Sequence, residues 1–216
     1  MKNTIIFDNK IDFKQGETLT FFLNENFDFR AEGRIFSAQT LNKIQVYLKN
    51  LKSKKIKKKI ISFDISEKNK ALFIIVKEKL LPNDFEKIGA KFFSYVKMSK
   101  ISMINFYSDT LKLVKFYQKN TKLISNFIHG FNLKSYSFDK YKTKDKNNYY
   151  FSLKIISSEK TSLSKNYSKY KAIESGVFQT RDLVSEPPNV LYPKKYVETI
   201  KKLSSLGLKI QVYNES

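Results

Sequence analysis

One histidine (His129), no cysteine and a scatter of single carboxylates are what this 216-residue chain offers to acid–base, nucleophilic or metal chemistry. Without cysteine there is no thiol nucleophile, disulfide scaffold, zinc ribbon or iron–sulfur cluster. A lone imidazole excludes any metal site or proton relay that needs two from this chain. His129 precedes Gly130, which reads as a helix stop, where the helix dipole favours a cation. A terminal or packing role for His129 outweighs catalysis, because no acid–nucleophile pair accompanies it. Asp28, Asp64, Asp84, Asp109, Asp139, Asp145 and Asp182 stand apart from one another. A divalent metal needs several converging oxygen ligands, whereas isolated Asp is favoured at helix starts and turns. These carboxylates therefore read as caps and solvated surface. The six glycines lie too far apart for a phosphate-cradling loop, the nearest two being Gly16 and Gly33.

Charge raises a second possibility. With 41 basic and 20 acidic residues the chain carries +21. Arg30, Arg34 and Arg181 are the only arginines, so lysine supplies nearly all of it. A nucleic-acid reader generally carries arginine, whose planar fork grips phosphate and guanine. Lysine beside abundant Asn, Ile, Phe and Tyr is also the residue usage of an AT-rich genome, and that reading is preferred. A nucleic-acid alternative would rest on the run Lys52–Lys59, with Tyr136, Phe138, Tyr141 and Lys142 as base-stacking groups. Packing of a domain edge is the commoner role for such aromatics. Arg181 and Asp182 either pair with another element or form a solvated face.

The elements that would position these groups alternate. Thr4–Phe7 and Leu19–Leu23 read as strands, with a turn at Gly16. Leu41, Ile44, Leu48 and Leu51 fall on one face of a helix. Ile60–Phe63 and Ala71–Val76 read as strands. Asn83 is expected to cap a helix carrying Phe85, Ile88, Phe92 and Val96, with Asp84 in its first turn. Ile101–Phe106 is a strand, and Ser108–Asp109 should cap a helix through Leu111, Val114 and Phe116. Leu123, Phe127 and Ile128 continue or restart it as far as Gly130, and Tyr149–Ile156 returns to strand. This order predicts an α/β fold, a mixed β-sheet flanked by helices. Ser158–Asn166 is polar, and a helix is expected from about Tyr167 to Val184, ended by Pro187–Pro188. The double proline either stiffens the helix exit or simply terminates it. Pro193 should open a further helix with Tyr196, Ile200 and Leu203, Gly207 should close it, and Leu208–Tyr213 reads as a strand. The longest wholly apolar run, Ala71–Val76, is too short to span a bilayer. A charged N-terminus (Lys2, Asp8, Lys10, Asp12) does not suit a secretory signal, so a cytoplasmic protein with no membrane partner is expected.

Two stretches carry more than periodicity: Gly130–Lys144 (GFNLKSYSFDKYKTK) and Gly176–Pro193 (GVFQTRDLVSEPPNVLYP). In this order and at this separation they resemble landmarks of the leucyl (cytosol) aminopeptidase family. Ser185, where that family usually has Asn, and Tyr192, where Thr often stands, are small departures. The resemblance implies an N-terminal α/β domain over residues 1–157, a connecting helix and Pro-Pro turn over 158–189, and the start of a C-terminal peptidase domain over 190–216. It further implies a cytosolic, hexameric metallo-exopeptidase that releases N-terminal amino acids from peptides, using two divalent ions, manganese or zinc. The family chain is more than twice as long, and its Gly-rich stretch and Asp/Glu-bearing metal motif find no counterpart here. The expectation is a truncated chain with no catalytic, metal-binding or substrate-binding residue of its own, inactive alone. The alternative is a stand-alone basic module that binds nucleic acid or other subunits.

Overall fold

A computed structural model describes residues 3–10, 12, 14–29, 35–54, 58–114, 121–144 and 149–213. The chain divides into two compact units, Met1–Glu174 and Ser175–Ser216. In the first, six strands of the described residues form one sheet in the order β1-β6-β5-β2-β4-β3. The strands are β1 (Thr4–Asp8), β2 (Thr18–Asn24), β3 (Ile60–Asp64), β4 (Lys70–Val76), β5 (Met103–Tyr107) and β6 (Ser152–Ile156). Neighbours run parallel except β3, which pairs antiparallel with β4 at one edge. The sheet is therefore mixed and helix-flanked, as the alternation of elements predicts.

Side-chain alternation divides the core in two. From β2, Leu19, Phe21 and Leu23 face a cluster closed by Ile44 and Leu48. These two come from helix α1 (Ala38–Ser53). Phe22 of β2, Leu72 and Ile74 of β4, and Phe106 of β5 face the other side. There they meet Phe85, Phe92, Phe127 and Phe131 from α2 (Pro82–Met98) and α3 (Thr121–Ser135). Phe106 stacks on Phe127 at 4.8 Å, and Phe22 meets Phe106 edge-on at 5.0 Å. Each such buried ring contributes roughly 1.5–3 kcal/mol by leaving water.

Several expected boundaries move. Gly130 does not stop a helix; it lies inside α3, where that helix crosses α2. A Cβ on Gly130 would stand 1.9 Å from the Glu86 carbonyl oxygen, and one on Gly89 would stand 1.9 Å from that of Phe127. Both positions exclude a side chain because two backbones touch there. Asn83 does not cap α2. Pro82 fills the first helical position, and Asp84 accepts the Leu81 N–H at 3.0 Å. Ser108–Leu113 forms a short 3₁₀ turn and not a longer helix; Phe116 lies outside the described residues. The helix expected from Tyr167 starts earlier, as α4 (Lys160–Ser185), because Leu163 and Tyr167 supply a core-facing stripe within the polar stretch.

In the second unit α4 ends at Ser185 before the double proline, and the Pro187 carbonyl accepts from Val190 and Leu191 N–H, both at 2.9 Å. Helix α5 (Pro193–Lys201) opens on its proline and runs into a 3₁₀ turn that ends at Gly207, whose φ is +87°. Leu208–Tyr213 forms no strand, since no described strand is placed beside it. No helix among the described residues is long and apolar enough to cross a membrane.

Candidate functional site

The most buried titratable group among the described residues is Glu174, 2% exposed, on the face of α4 that meets α3. His129 and Asn132, one turn apart on α3, reach it from one side. His129 Nδ1 lies 2.8 Å from Oε1, and Asn132 Nδ2 donates to Oε2 at 2.6 Å. Two turns back along α4, the Tyr167 hydroxyl donates to Oε2 at 2.8 Å. Burial, and then the Glu174 charge, pushes the Tyr167 phenol far up, so it stays protonated and donates. The His129 ring packs on Tyr170 at 4.9 Å. Three donors converge on one carboxylate, which can only accept. Such a group locks α4 onto α3; it leaves no oxygen for a substrate or an ion. His129 is therefore a buried partner in mid-helix and not a residue at a helix end, because α3 continues through Gly130.

A second cluster joins the 3₁₀ turn to the start of α4. Asp109 accepts from the Ser157 hydroxyl at 2.8 Å and from the Ser158 N–H at 2.7 Å. Lys112 Nζ lies 3.5 Å from Asp109, 3.0 Å from Glu159 and 3.1 Å from the Ser158 hydroxyl. Burial alone would raise the Asp109 pKa, but the Ser158 and Ser157 hydrogen bonds and the Lys112 charge outweigh it and hold the carboxyl below its usual value. Burial likewise works against the Lys112 ammonium, but Glu159 and Asp109 raise its pKa. With Thr121, Ile124 and Leu163 these groups line a cavity of about 20 Å³, room for little more than one water. Asp109 serves the N–H groups before α4, and every charge here already has a partner.

The other sequence candidates are not brought together. Asp28 accepts from the Asn24 amide at 3.3 Å, in the turn after β2. Asp64 pairs with Lys70 at 3.2 Å, and Asp139 with Lys142 at 2.9 Å. Asp182 is exposed and Arg181 half-buried. Asp145, and Lys55 and Lys57 of the basic run, lie outside the described residues. Phe138 and Tyr141 pack on each other at 5.9 Å, and Lys140 lies over the Tyr141 ring at 5.3 Å. These aromatics thus serve local packing.

In open parallel sheets ligands favour the crevice at the strand ends where successive connections leave in opposite directions. That point lies between β2 and β5, whose chains leave to opposite faces through α1 and α3. Thr110 seals it: its hydroxyl accepts the Phe22 N–H at 2.8 Å and donates to the Tyr107 carbonyl at 2.6 Å.

No protein-family model matches the chain. A probable cytosol aminopeptidase of Phytoplasma mali is 41% identical over 101 residues, which is 44% of this chain and 20% of that protein. Another, from Ehrlichia ruminantium, is 31% identical over 134 residues, 60% of this chain and 25% of that protein. Among solved structures, a tomato leucine aminopeptidase mutant superposes with a TM-score of 0.72 at 16% identity, over 95% of this chain and 42% of that one. The chain is similar to cytosol (leucine) aminopeptidases. The fold is also similar to that of the bottromycin maturation enzyme BotP, solved in complex with Mn, with a TM-score of 0.60 at 12% identity over 88% of this chain and 36% of that one. The chain spans only about a fifth to a quarter of the curated aminopeptidases it matches.

A metal suggested by these neighbours does not fit the side chains described. Among the described residues no group of three or more His, Asp or Glu is placed to hold an ion. Both Glu174 oxygens are taken by donors from α3 and α4, and both Asp109 oxygens by Ser157, Ser158 and Lys112.

Proposed function

We propose that this chain is the N-terminal portion of a cytosolic aminopeptidase that releases N-terminal amino acids from peptides. In that reading residues 1–157 form the N-terminal domain, 158–189 the connecting helix and its Pro-Pro exit, and 190–216 the beginning of the peptidase domain. Two divalent ions, manganese or zinc, and every catalytic group belong to residues beyond these 216, as do most contacts of a hexamer. The contribution of this chain is architectural: α4, locked onto α3 through Glu174, continues the chain from the N-terminal domain to the Pro-Pro exit that precedes the peptidase portion. The observation that carries the reading is the superposition of 95% of this chain on 42% of a leucine aminopeptidase, beside 41% sequence identity to a cytosol aminopeptidase.

The test is a chimera joining residues 1–189 to the rest of the Phytoplasma mali relative, assayed on leucine p-nitroanilide with manganese. The chimera should turn over substrate and residues 1–216 alone should not. Metal-dependent turnover by residues 1–216, or a folded but inert chimera, overturns the reading.

A further inference from the structure

The sheet has an edge that the aminopeptidase reading leaves idle. β1 is bonded on one side to β6: the Thr4 N–H donates to the Phe151 carbonyl at 3.0 Å, and the Ser157 N–H to the Asp8 carbonyl at 2.9 Å. In a parallel ladder of that register Thr4, Ile6 and Asp8 point their backbone groups inward. The N–H and C=O of Ile5 and Phe7 therefore point outward, and no described strand lies beyond them. An open edge of this kind is a template for another strand.

Beside it, between Phe7 and the start of α4, runs an open groove of about 550 Å³. Lys160, Thr161, Ser164, Lys165 and Ser168 line it, all of them exposed. Neither Lys160 nor Lys165 has an ion-pair partner among the described residues. A strand added to β1 would lay alternate side chains into this groove and the others beside Ile6, which is 48% exposed on the opposite face of the sheet. Two unpaired ammonium groups and three hydroxyls lie on one side; on the other Ile6 stands beside Lys154, whose charge is already taken by Asp8 at 3.4 Å. Such an edge fits a segment that alternates acidic residues, towards the groove, with apolar ones, towards Ile6. A second copy of this chain fits poorly, because pairing β1 with itself would bring the same lysines together in a molecule already at +21.

We propose that the β1 edge and the Lys160–Lys165 groove form a docking site for an extended acidic peptide segment, bound as an added strand. This does not depend on the aminopeptidase reading. The probe is a fluorescein-labelled ten-residue peptide of alternating Glu and Val, titrated with the full chain and followed by fluorescence anisotropy. Saturable binding is expected. It should weaken at least tenfold in Lys160→Glu/Lys165→Glu and stay unchanged in Lys194→Glu/Lys201→Glu, on α5. Peptides N-methylated on every second residue, in the two possible phases, should differ: one phase loses binding because its donors face β1, and the other keeps it. Absence of binding, equal loss in both lysine pairs, or indifference to both phases of N-methylation overturns the proposal. So does a dimer in sedimentation velocity that Lys160→Glu/Lys165→Glu leaves intact.

Discussion

Glu174 shows how one side chain can be essential to a fold and silent in its chemistry. Truncation to alanine leaves the donors of His129, Asn132 and Tyr167 buried without an acceptor, at a cost of about 3 kcal/mol. For a chain of this size the thermal midpoint should fall by roughly 10 °C. Glu174→Gln keeps the shape and should cost less; equal stability of Glu174→Ala and the parent in urea titration would contradict the lock. Asp109 makes a prediction with a sign. Its pKa is lowered in the folded state from the ordinary 3.8, so it stabilises the fold above that pH and the benefit is lost as pH falls through the lower folded value. Asp109→Asn should therefore cost about 1 kcal/mol at neutral pH, and its gap to the parent should narrow as the pH falls below the ordinary 3.8. A gap constant from pH 7 to pH 2 would refute the linkage. Neither role was legible from residue type: the sequence shows a carboxylate, and only the partner 45 or 49 positions away defines its work.

Elements were more legible than the groups they carry. Each strand of the first unit announces itself as an apolar, β-branched run, and α1 by its Leu41–Ile44–Leu48–Leu51 spacing, because burial imposes a period that survives without context. Two kinds of feature did not survive. The start of α4 hides in a polar stretch, since one Leu163 is enough to anchor a turn that serines and lysines otherwise cover. Gly130 reads as a helix stop in the sequence because glycine ends helices when exposed but lets helices touch when buried, and the sequence does not say which neighbour it has. The contact gives a direct test. Gly130→Ala or Gly89→Ala should destabilise by about 3 kcal/mol through forced separation of α2 and α3. Gly176→Ala has nothing within 4 Å of the new Cβ and should be neutral or slightly stabilising. Differential scanning fluorimetry of the three variants distinguishes them, and a neutral Gly130→Ala would refute the close approach.

At the scale of the whole molecule the two units differ in how they are held. The first buries two aromatic-rich clusters. In the second, α5 has no buried residue, while Leu206, Leu208 and Tyr213 are 76%, 55% and 82% exposed. Isolated helices of that length are marginal in water. Amides of residues 193–206 should therefore exchange within seconds, while those of β2 and β4 should persist; slow exchange in α5 would show support that the fold does not provide. The sheet order also has a consequence in time. Among the described strands the first to be made, β1, pairs only with the last, β6, Thr4 opposite Ser152. At about 5–20 residues per second, a ribosome needs roughly seven to thirty seconds between them. Throughout that interval the N-terminal segment is an apolar nascent tail without its mate, exposed to chaperones, and the first unit can close only when translation has nearly finished it.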